Sequence, residues 1–455
     1  MSFGQKMKLN EAGVTLIDCD HKTPAAQASG YPYVGIPQLK DGHIRLDGAR
    51  LISEEDFVLW TKKAKPQLND VILSRRCNPG ESAYVPDSLE IALGQNLVLL
   101  RSDGSVIYPP FLRWLVQGNE WWEQVNKFLN VGAVFNSLKC KDIPNFKLTI
   151  PSLKEQKRIT DILSGLDKKI ELNNKINQNL ESIAQAIFKS WFIDFEPVRV
   201  KIAAKQEGSD PELAAMCAIS GKSEVELQQM AEDDLAKLRA TASLFPDELV
   251  ESELGEVPKG WEVSTVGEQV QAVGGGTPST KNADFWDNGI HYWTTPKDLS
   301  NLTDKILLNT ERKLTDTGLK KISSGLLPKN TVLMSSRAPV GYLALAKIEV
   351  AINQGYIAIL PNTKYSAEYL IQWCEANMAE IKGRASGTTF LEISKKNFRE
   401  INFICSDEKV VTVYTKTAKT LYDEISLKAE ENQSLINLRD TLLPKLLSGE
   451  LEVLT

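Results

Sequence analysis

Hydrogen-bonding side chains occur at matching places in the two halves of this chain, 254 to 261 residues apart. Thr23-Pro24 corresponds to Thr277-Pro278, and the strand-like run that ends at Arg76 corresponds to the run that ends at Arg337. An arginine can bond guanine through two hydrogen bonds in the major groove of DNA. A lysine mostly binds phosphate, and a threonine can contact either. These residue types at repeated positions predict a surface that binds nucleic acid.

The candidate DNA contacts are the basic and hydroxyl side chains in the loops that the repeat matches. They are Lys22, Thr23, Arg75, Arg76, Lys139 and Lys141 in the first half, and Thr277, Lys281, Arg337, Arg384, Thr388, Thr389, Lys395 and Lys396 in the second. The alternative for each is an ordinary solvated surface group. For Arg76 and Arg337 a DNA contact is favoured, because the repeat places both at the end of a predicted strand. Tyr33, Trp122 and Trp293 could stack on bases, but packing in the core is favoured for aromatics at strand positions.

The elements that must position these loops include two long helices. Ten positions from Ile159 to Trp191 are spaced 4,3,4,3, and the same spacing returns 255 residues later, from Tyr414 to Leu446. Asn177 thereby matches Asn432. The residues predicted to pair the helices are Leu166, Ile170, Asn177, Leu180, Ile187, Leu421, Ile425, Asn432, Leu435 and Leu442.

Pairing of the two helices with each other is favoured over packing of each helix on its own domain. Each helix would be about 50 Å long at 1.5 Å per residue, with a narrow apolar stripe that needs burial. Antiparallel pairing of two similar halves predicts a pseudo-two-fold arrangement, in which the matched asparagines would fix the register.

The predicted fold class is α+β, with two similar mixed α/β domains joined by two long helices that form an antiparallel coiled coil. The predicted segments are a first globular domain (1–150), a central helix (151–200), an acidic connector (201–260), a second globular domain (261–405) and a C-terminal helix (406–455). The connector has 13 acidic and 6 basic residues, so its own net charge of −7 is more negative than the −6 of the whole chain. The two globular domains are mildly positive, which permits DNA binding and suggests that a partner supplies part of the affinity.

Catalytic signatures are missing from the 455 residues. The sequence has no phosphate-binding GxxxxGK[ST] motif, no GxGxxG motif after a strand, no [DNS]PP[YFW] tetrapeptide of an amino-methyltransferase and no HExxH motif. Its three histidines and six cysteines are scattered, so we expect no metal site and no disulfide, and we expect reduced thiols in a cytoplasmic protein. No apolar run approaches the length of a membrane span.

With these features in view, the chain resembles the DNA-specificity subunit of type I restriction–modification systems over essentially its whole length. The resemblance rests on the duplicated layout of a domain followed by a long helix. It also rests on four short segments in the family's order: Ile150 to Ile159, Phe192 to Val198, Leu254 to Trp261, and Leu443 to Leu451. The first half departs from the pattern, because it lacks the Pro-Lys-Gly-Trp entry found at 258–261.

The resemblance implies a subunit without catalytic activity. Each recognition domain would read one half of a split target in double-stranded DNA, and the helices would set the gap between the halves. The helices would also dock two modification subunits, which bring S-adenosylmethionine and methylate adenine. Two restriction subunits can join these and supply cleavage driven by ATP and Mg²⁺. No cofactor and no membrane contact are expected for this chain itself.

Two other functions remain open from the sequence. The chain could be a non-catalytic coiled-coil scaffold that joins two protein-binding domains, and such a protein would show no salt-dependent affinity for DNA. It could also be a self-contained DNA-modifying enzyme, although the missing methyltransferase motifs argue against this.

Overall fold

The computed structural model describes residues 3–20, 22–132, 135–387 and 391–451. The chain forms two compact units. The first unit consists of Met1–Ile170 together with Ser434–Thr455, and the second unit consists of Glu171–Gln433. The two long helices contribute residues to both units.

The first unit is built around an antiparallel sheet with strand order β2-β10-β7-β8. A second sheet has the order β6-β3-β9, with β3 and β9 parallel, while β1 pairs with β11 and β4 with β5. The strands are β1 Gly4–Lys8, β2 Val14–Asp18, β3 Tyr31–Val34, β4 Leu39–Lys40, β5 His43–Ile44, β6 Arg50–Ile52, β7 Val71–Ser74, β8 Ser82–Tyr84, β9 Ala92–Leu93, β10 Leu97–Ser102 and β11 Lys147–Pro151.

The second unit repeats this topology. Its main sheet has the order β15-β22-β19-β20-β17, its second sheet has the order β18-β16-β21 with β16 and β21 parallel, and β14 pairs with β23. A hairpin of β12 and β13 precedes them. The strands are β12 Leu249–Ser252, β13 Gly255–Pro258, β14 Glu262–Thr265, β15 Gln271–Gly274, β16 His291–Thr294, β17 Ile306–Leu307, β18 Arg312–Leu314, β19 Thr331–Ser335, β20 Leu343–Ala346, β21 Val350–Ile352, β22 Tyr356–Leu360 and β23 Asn402–Cys405. The internal repeat read from the sequence is therefore a repeat of the fold.

The two long helices are the central helix, Leu153–Phe188, and the C-terminal helix, Glu408–Ser448. A π-helical turn, Lys189–Ile193, follows the central helix. The shorter helices are Glu54–Thr61, Leu112–Leu115, Asn119–Phe128, Glu196–Glu207, Pro211–Ser220, Glu224–Leu227, Glu232–Ala242, Val266–Gln269, Pro296–Ser300, Asp316–Leu319, Ala367–Ala376, Met378–Gly383 and Lys395–Arg399. Among the described residues, no helix is long and apolar enough to cross a membrane.

Local interactions mark the beginning of both long helices and the end of the C-terminal helix. The hydroxyl of Ser152 accepts from the backbone N–H of Glu155, and the carboxylate of Asp407 accepts from the backbone N–H of Lys409. Both satisfy a donor that the first helical turn leaves without an intrahelical partner. The C-terminal helix ends before Gly449, whose φ of 75° suits a glycine after a helix.

Within the second unit the central and C-terminal helices run antiparallel. Asn173 donates to Asn432 at 2.9 Å, Asn177 donates to the carbonyl of Ile425 at 3.3 Å, and Tyr414 donates to the carbonyl of Ala184 at 3.4 Å. As the residue number rises along one helix it falls along the other. These polar contacts in an otherwise apolar seam admit a single register.

Within the first unit the same two helices are joined by a buried carboxylate, Asp167, whose side chain is 4% exposed. It accepts from Arg439 of the C-terminal helix at 3.0 Å and from Arg113, which itself lies over the ring of Tyr84. Leu446 packs in one core with Ile159 and other residues of this unit. Here too the pairing is antiparallel.

The predicted helix-pairing residues are buried to different extents. Asn177, Ile425 and Asn432 are buried, whereas the others are half-buried, namely Leu166, Ile170, Leu180, Ile187, Leu421, Leu435 and Leu442. Large residues next to the predicted positions, Phe188 and Tyr422, are buried more completely. The buried stripe thus lies partly beside the predicted one.

The predicted connector contains short helices that form a small core of their own in the second unit. Ala215, Met216, Leu227 and Ala242 are its buried residues. The ammonium group of Lys201 is buried beside this core and donates to Glu212 at 2.7 Å and to the carbonyl of Phe245 at 2.8 Å. The acidic connector is therefore a folded part of the second unit.

Replacing Asp167 by alanine should destabilise the protein by about 3 to 5 kcal/mol, because the buried guanidinium of Arg113 and the half-buried guanidinium of Arg439 would lose their shared carboxylate. Asp161→Ala is the matched control, since Asp161 lies exposed on the same helix and its loss should change stability by less than about 0.5 kcal/mol. Urea denaturation of both variants measures the difference. Equal stabilities would contradict a structural role for Asp167.

His43 should make stability depend on pH. Burial lowers its pKa to about 4, and Arg113, Arg45 and Arg439 act in the same direction, although Asp167 at 3.6 Å opposes them. Between about pH 4 and 6.5 the unfolded chain binds more protons at this residue than the folded chain does. The contribution of neutral His43 to the free energy of unfolding is therefore complete above about pH 6.5 and is lost as the pH falls towards 4. His43→Gln should flatten the slope of unfolding free energy against pH by up to about 1.4 kcal/mol per unit in this window. An unchanged slope would show that His43 titrates normally.

Candidate nucleic-acid interface

A tight loop follows the strand that carries the repeated arginine in each unit. Both strands, β7 and β19, are buried along their length. The hydroxyl of Ser74 donates to the carbonyl of Arg76 at 2.8 Å, and the hydroxyl of Ser335 donates to the carbonyl of Pro339 at 2.7 Å. A buried serine at the end of the strand thus closes the loop in each unit.

The two loops also share their unusual backbone conformation. Cys77 and Ala338 both have positive φ, at 64° and 55°. Three residues later Gly80 and Gly341 have φ of 99° and 106°, a region that favours glycine. The arginine that precedes the left-handed residue therefore lies in the same backbone turn in both units.

Two neighbouring segments hold each arginine loop through backbone hydrogen bonds. The N–H of Arg75 donates to Asn96 at 2.9 Å, as the N–H of Ser336 does to Gly355 at 2.8 Å. The carbonyl of Arg75 accepts from Leu138 at 2.9 Å, and the carbonyl of Ser336 accepts from Ile393 at 3.0 Å. Each loop is therefore fixed between two others.

The loops that contain Thr23 and Thr277 contact the segments beside the arginine loops through side chains. Gln95 donates through its Nε2 to the hydroxyl of Thr23 at 3.1 Å, and the hydroxyl of Thr277 donates to the Oε1 of Gln354. The phenol of Tyr33 donates to the carbonyl of Lys22 at 3.0 Å and accepts from the N–H of Gln95 at 3.2 Å. We call the resulting surfaces the recognition edges. The first is formed by Thr23, Arg76, Gln95 and Ser137, and the second by Thr277, Arg337, Gln354 and Glu392.

The predicted contacts fall on or beside these edges in different ways. Thr23, Arg76, Thr277 and Arg337 belong to them by the contacts above. Backbone bridges join Arg76 to Ser137 and Arg337 to Glu392. The remaining cations that lie exposed in the adjoining loops are Lys22, Lys139, Lys141, Lys281, Lys395 and Lys396.

Two predicted contacts have guanidinium groups directed at the protein. Arg384 donates to Glu380 at 2.6 Å and to the carbonyl of Glu400 at 3.2 Å, so it braces the loop that leads to Glu392. Arg75 is half-buried, and its Nε has no hydrogen-bond partner among the described residues. Thr388 and Thr389 lie outside the described residues.

The arginine of the second edge, Arg337, takes part in a surface ion pair. Its guanidinium lies 3.7 Å from Glu392, with the side chains of Arg337 and Glu392 36% and 44% exposed. An exposed pair at this distance is weak and screened by salt, so an approaching base or phosphate can compete for the guanidinium.

Two of the three aromatic residues pack in the core, as favoured. Tyr33 is 7% exposed and Trp293 is 3% exposed, whereas Trp122 is 38% exposed and lies on the surface. Trp293 also donates to the carbonyl of Gly276 at 3.1 Å and so holds the threonine loop of the second unit. The rings of Tyr33 and Trp293 therefore support the edges and are not free to stack on bases.

The structure adds Gln95 and Gln354, which were absent from the predicted contacts. Both are exposed, and both are bonded to the matched threonine. The signal was present in the sequence, because Ala92 to Gln95 matches Ala351 to Gln354 within the repeat. Among the described residues, no group of three or more histidine, cysteine, aspartate or glutamate side chains could hold a metal ion.

Comparisons with known proteins identify the family. Residues 18–182 and 258–435 match the type I restriction modification DNA specificity domain. The chain is 32% identical over 398 residues to the type I restriction enzyme HindI specificity subunit of Haemophilus influenzae, covering 84% of this chain and 86% of that protein. It is 36% identical over 156 residues to the MjaIX specificity subunit of Methanocaldococcus jannaschii, covering 34% of this chain and 36% of that protein.

Among solved structures, the type I restriction–modification S subunit from M. genitalium matches with a TM-score of 0.48 and 15% identity, covering 99% of this chain and 96% of that one. The family assignment rests on the sequence matches. On that ground, the chain belongs to the family of type I restriction–modification DNA specificity subunits.

Proposed function

We propose that this chain reads a split sequence in double-stranded DNA, with one recognition edge for each half. The observation that carries the proposal is the correspondence of the two edges. Each presents an arginine, a threonine and a glutamine on loops held by matching backbone hydrogen bonds, and in each the threonine is bonded to the glutamine. Arginine and glutamine are side chains that read base edges in the major groove.

The proposed activity of the chain is recognition alone. Two modification subunits would bind it, bring S-adenosylmethionine and methylate adenine. Two restriction subunits would join them for cleavage driven by ATP and Mg²⁺. The small positive charge of the recognition domains supports this division, because a strong independent DNA-binding protein usually carries more cations along its contact surface.

The paired helices would set the gap between the two half-sites. Supporting this, the helices have a single register within each unit, held by Asp167 and Arg439 in one and by Asn173 and Asn432 in the other. An α-helix advances 1.5 Å per residue, and duplex DNA advances about 3.4 Å per base pair. A change in helix length should therefore change the gap by about one base pair for every two to three residues.

Mapping of methylated adenine in genomic DNA tests the proposal directly. Cells would carry this gene together with its partner methyltransferase gene, and the controls would lack this gene alone. A motif of two short halves with a fixed gap, lost on deletion, would establish the function. Unchanged methylation with the partner expressed would favour a protein scaffold that does not read DNA.

Arg337→Ala should relax or weaken recognition of one half-site only, by about tenfold at the contacted position, because a bidentate arginine–guanine contact is lost. Arg76→Ala should do the same for the other half-site. Methylation of oligonucleotide libraries randomised in each half measures both effects.

Lys329→Ala is the matched control, since Lys329 is exposed just before β19, at the end of that strand opposite Arg337. It should leave both half-sites unchanged. If Arg337→Ala weakened both halves equally, independent reading by two edges would be excluded.

Lengthening both helices by seven residues should widen the recognised gap by about three base pairs, from about 10 Å of added helix. The insertions would follow Ile170 and Gln433, where one compact unit ends and the other begins, and would continue the 4,3 spacing. All contacts within each unit are then retained. Insertion into one helix only serves as the control and should abolish activity, and a gap unchanged by the double insertion would refute the proposed role of the helices.

A further inference from the structure

The two glutamines of the recognition edges are fixed more firmly than exposed side chains usually are. Gln95 lies in a turn in which the N–H of Gly94 donates to Val34 at 2.6 Å, and Asn96 has φ of 68°. In the second unit the N–H of Asn353 donates to Thr294 at 3.1 Å, and the N–H of Gly355 donates to the side chain of Asn353 at 2.8 Å. Both turns lead directly into a buried strand, β10 or β22.

The matched threonine orients each glutamine amide before any ligand binds. One N–H of the Gln95 amide is used in the bond to Thr23, which leaves a second N–H and the carbonyl oxygen. In Gln354 the oxygen accepts from Thr277, which leaves two N–H groups and a lone pair on the oxygen. Each amide therefore retains at least one donor and one acceptor.

This pattern distinguishes between the groups that DNA offers. A phosphate has only acceptors, so it would leave the amide oxygen without a donor. Adenine presents a donor at N6 next to an acceptor at N7 in the major groove, and a glutamine amide satisfies both at once. The exposed cations in the adjoining loops, such as Lys139 and Lys395, are better suited to phosphate.

We propose that Gln95 and Gln354 each read an adenine, one in each half-site, through two hydrogen bonds in the major groove. Thr23 and Thr277 are positioning residues that hold the amides in the reading orientation. This inference rests on the proposed function and goes beyond it, because it assigns a base to a residue in each edge. The fixed amide loses little freedom on binding, which favours selectivity.

Substitution of 7-deazaadenine for single adenines of the target tests whether the N7 acceptor of each adenine is contacted. The experiment uses the full complex with its partner methyltransferase, and duplexes that carry the motif mapped for the wild-type protein. Each adenine of the motif is replaced in turn, which removes the N7 acceptor. Wild-type affinity should fall about tenfold at one adenine in each half-site.

The variants should remove this sensitivity one half at a time. Gln95→Ala should abolish the effect of 7-deazaadenine in one half-site, and Gln354→Ala should abolish it in the other. Thr23→Val and Thr277→Val should reduce it within the corresponding half. Gln271→Ala, at an exposed glutamine on β15, is the control and should behave as wild type.

Three results would overturn the inference while leaving the proposed function intact. First, the glutamine variants could keep the wild-type sensitivity to 7-deazaadenine. Second, they could lose affinity equally for all DNA sequences, which is what the loss of a phosphate contact would cause. Third, they could relax recognition at a G·C pair. Thermal unfolding of each variant separates these results from misfolding, and the threonine variants give a second, milder measurement. A wild-type complex that methylates no split motif would instead overturn the proposed function, and this inference with it.

Discussion

The antiparallel pairing of the central and C-terminal helices is the interaction on which the two recognition domains depend. In the first unit the core that contains Val71 and Val98 also contains Leu163 of the central helix and Leu446 of the C-terminal helix. In the second unit the main core combines sheet residues with aromatic residues of both helices, Phe188 and Tyr414 among them. A stretch from each helix therefore completes each core. Loss of the helix register would expose apolar surface in the domain concerned, and not only in the helix seam.

The repeat preserves the internal framework more strictly than the surface. Ser74 and Ser335 close the same loop, and β7 and β10 pair in the same register as β19 and β22. At the edges, however, Ser137 corresponds to Glu392, and Lys22 to Gly276. Two domains with one fold and different surfaces are what reading two different half-sites would require.

The sequence anticipated the features that depend on local periodicity and on the repeat. The 4,3 spacing correctly predicted two long helices and their antiparallel pairing, and the repeat predicted that Arg76 and Arg337 would occupy equivalent places. The buried charge at Asp167 was not anticipated, because Arg113 and Arg439, the partners that make its burial tolerable, are distant in the sequence. Apolar spacing pointed instead to Leu166, which is only half-buried.

The recognition edge was predicted less completely than the fold for a related reason. Residue type favours charged and hydroxyl-bearing side chains as DNA contacts, and therefore Arg384, whose guanidinium is bonded to Glu380, over the neutral Gln95 and Gln354. Neighbours in space decide whether a polar side chain is hydrogen-bonded within the protein or remains available to a ligand. Residue type alone does not reveal these neighbours.

If the chain reads DNA as proposed, its modest charge separates specificity from affinity. Non-specific affinity for DNA grows with the number of phosphates that a protein neutralises, and it is the same for every sequence. A subunit that carries few surplus cations but two edges with fixed polar side chains would discriminate between sequences while binding each of them weakly. Partner subunits would then supply the phosphate contacts, so that tight binding and methylation occur only where the two edges are satisfied. The second edge fits this separation of specificity from affinity, because it presents the neutral amide of Gln354 and a guanidinium of Arg337 that is paired with Glu392. Neither group requires a large local excess of positive charge.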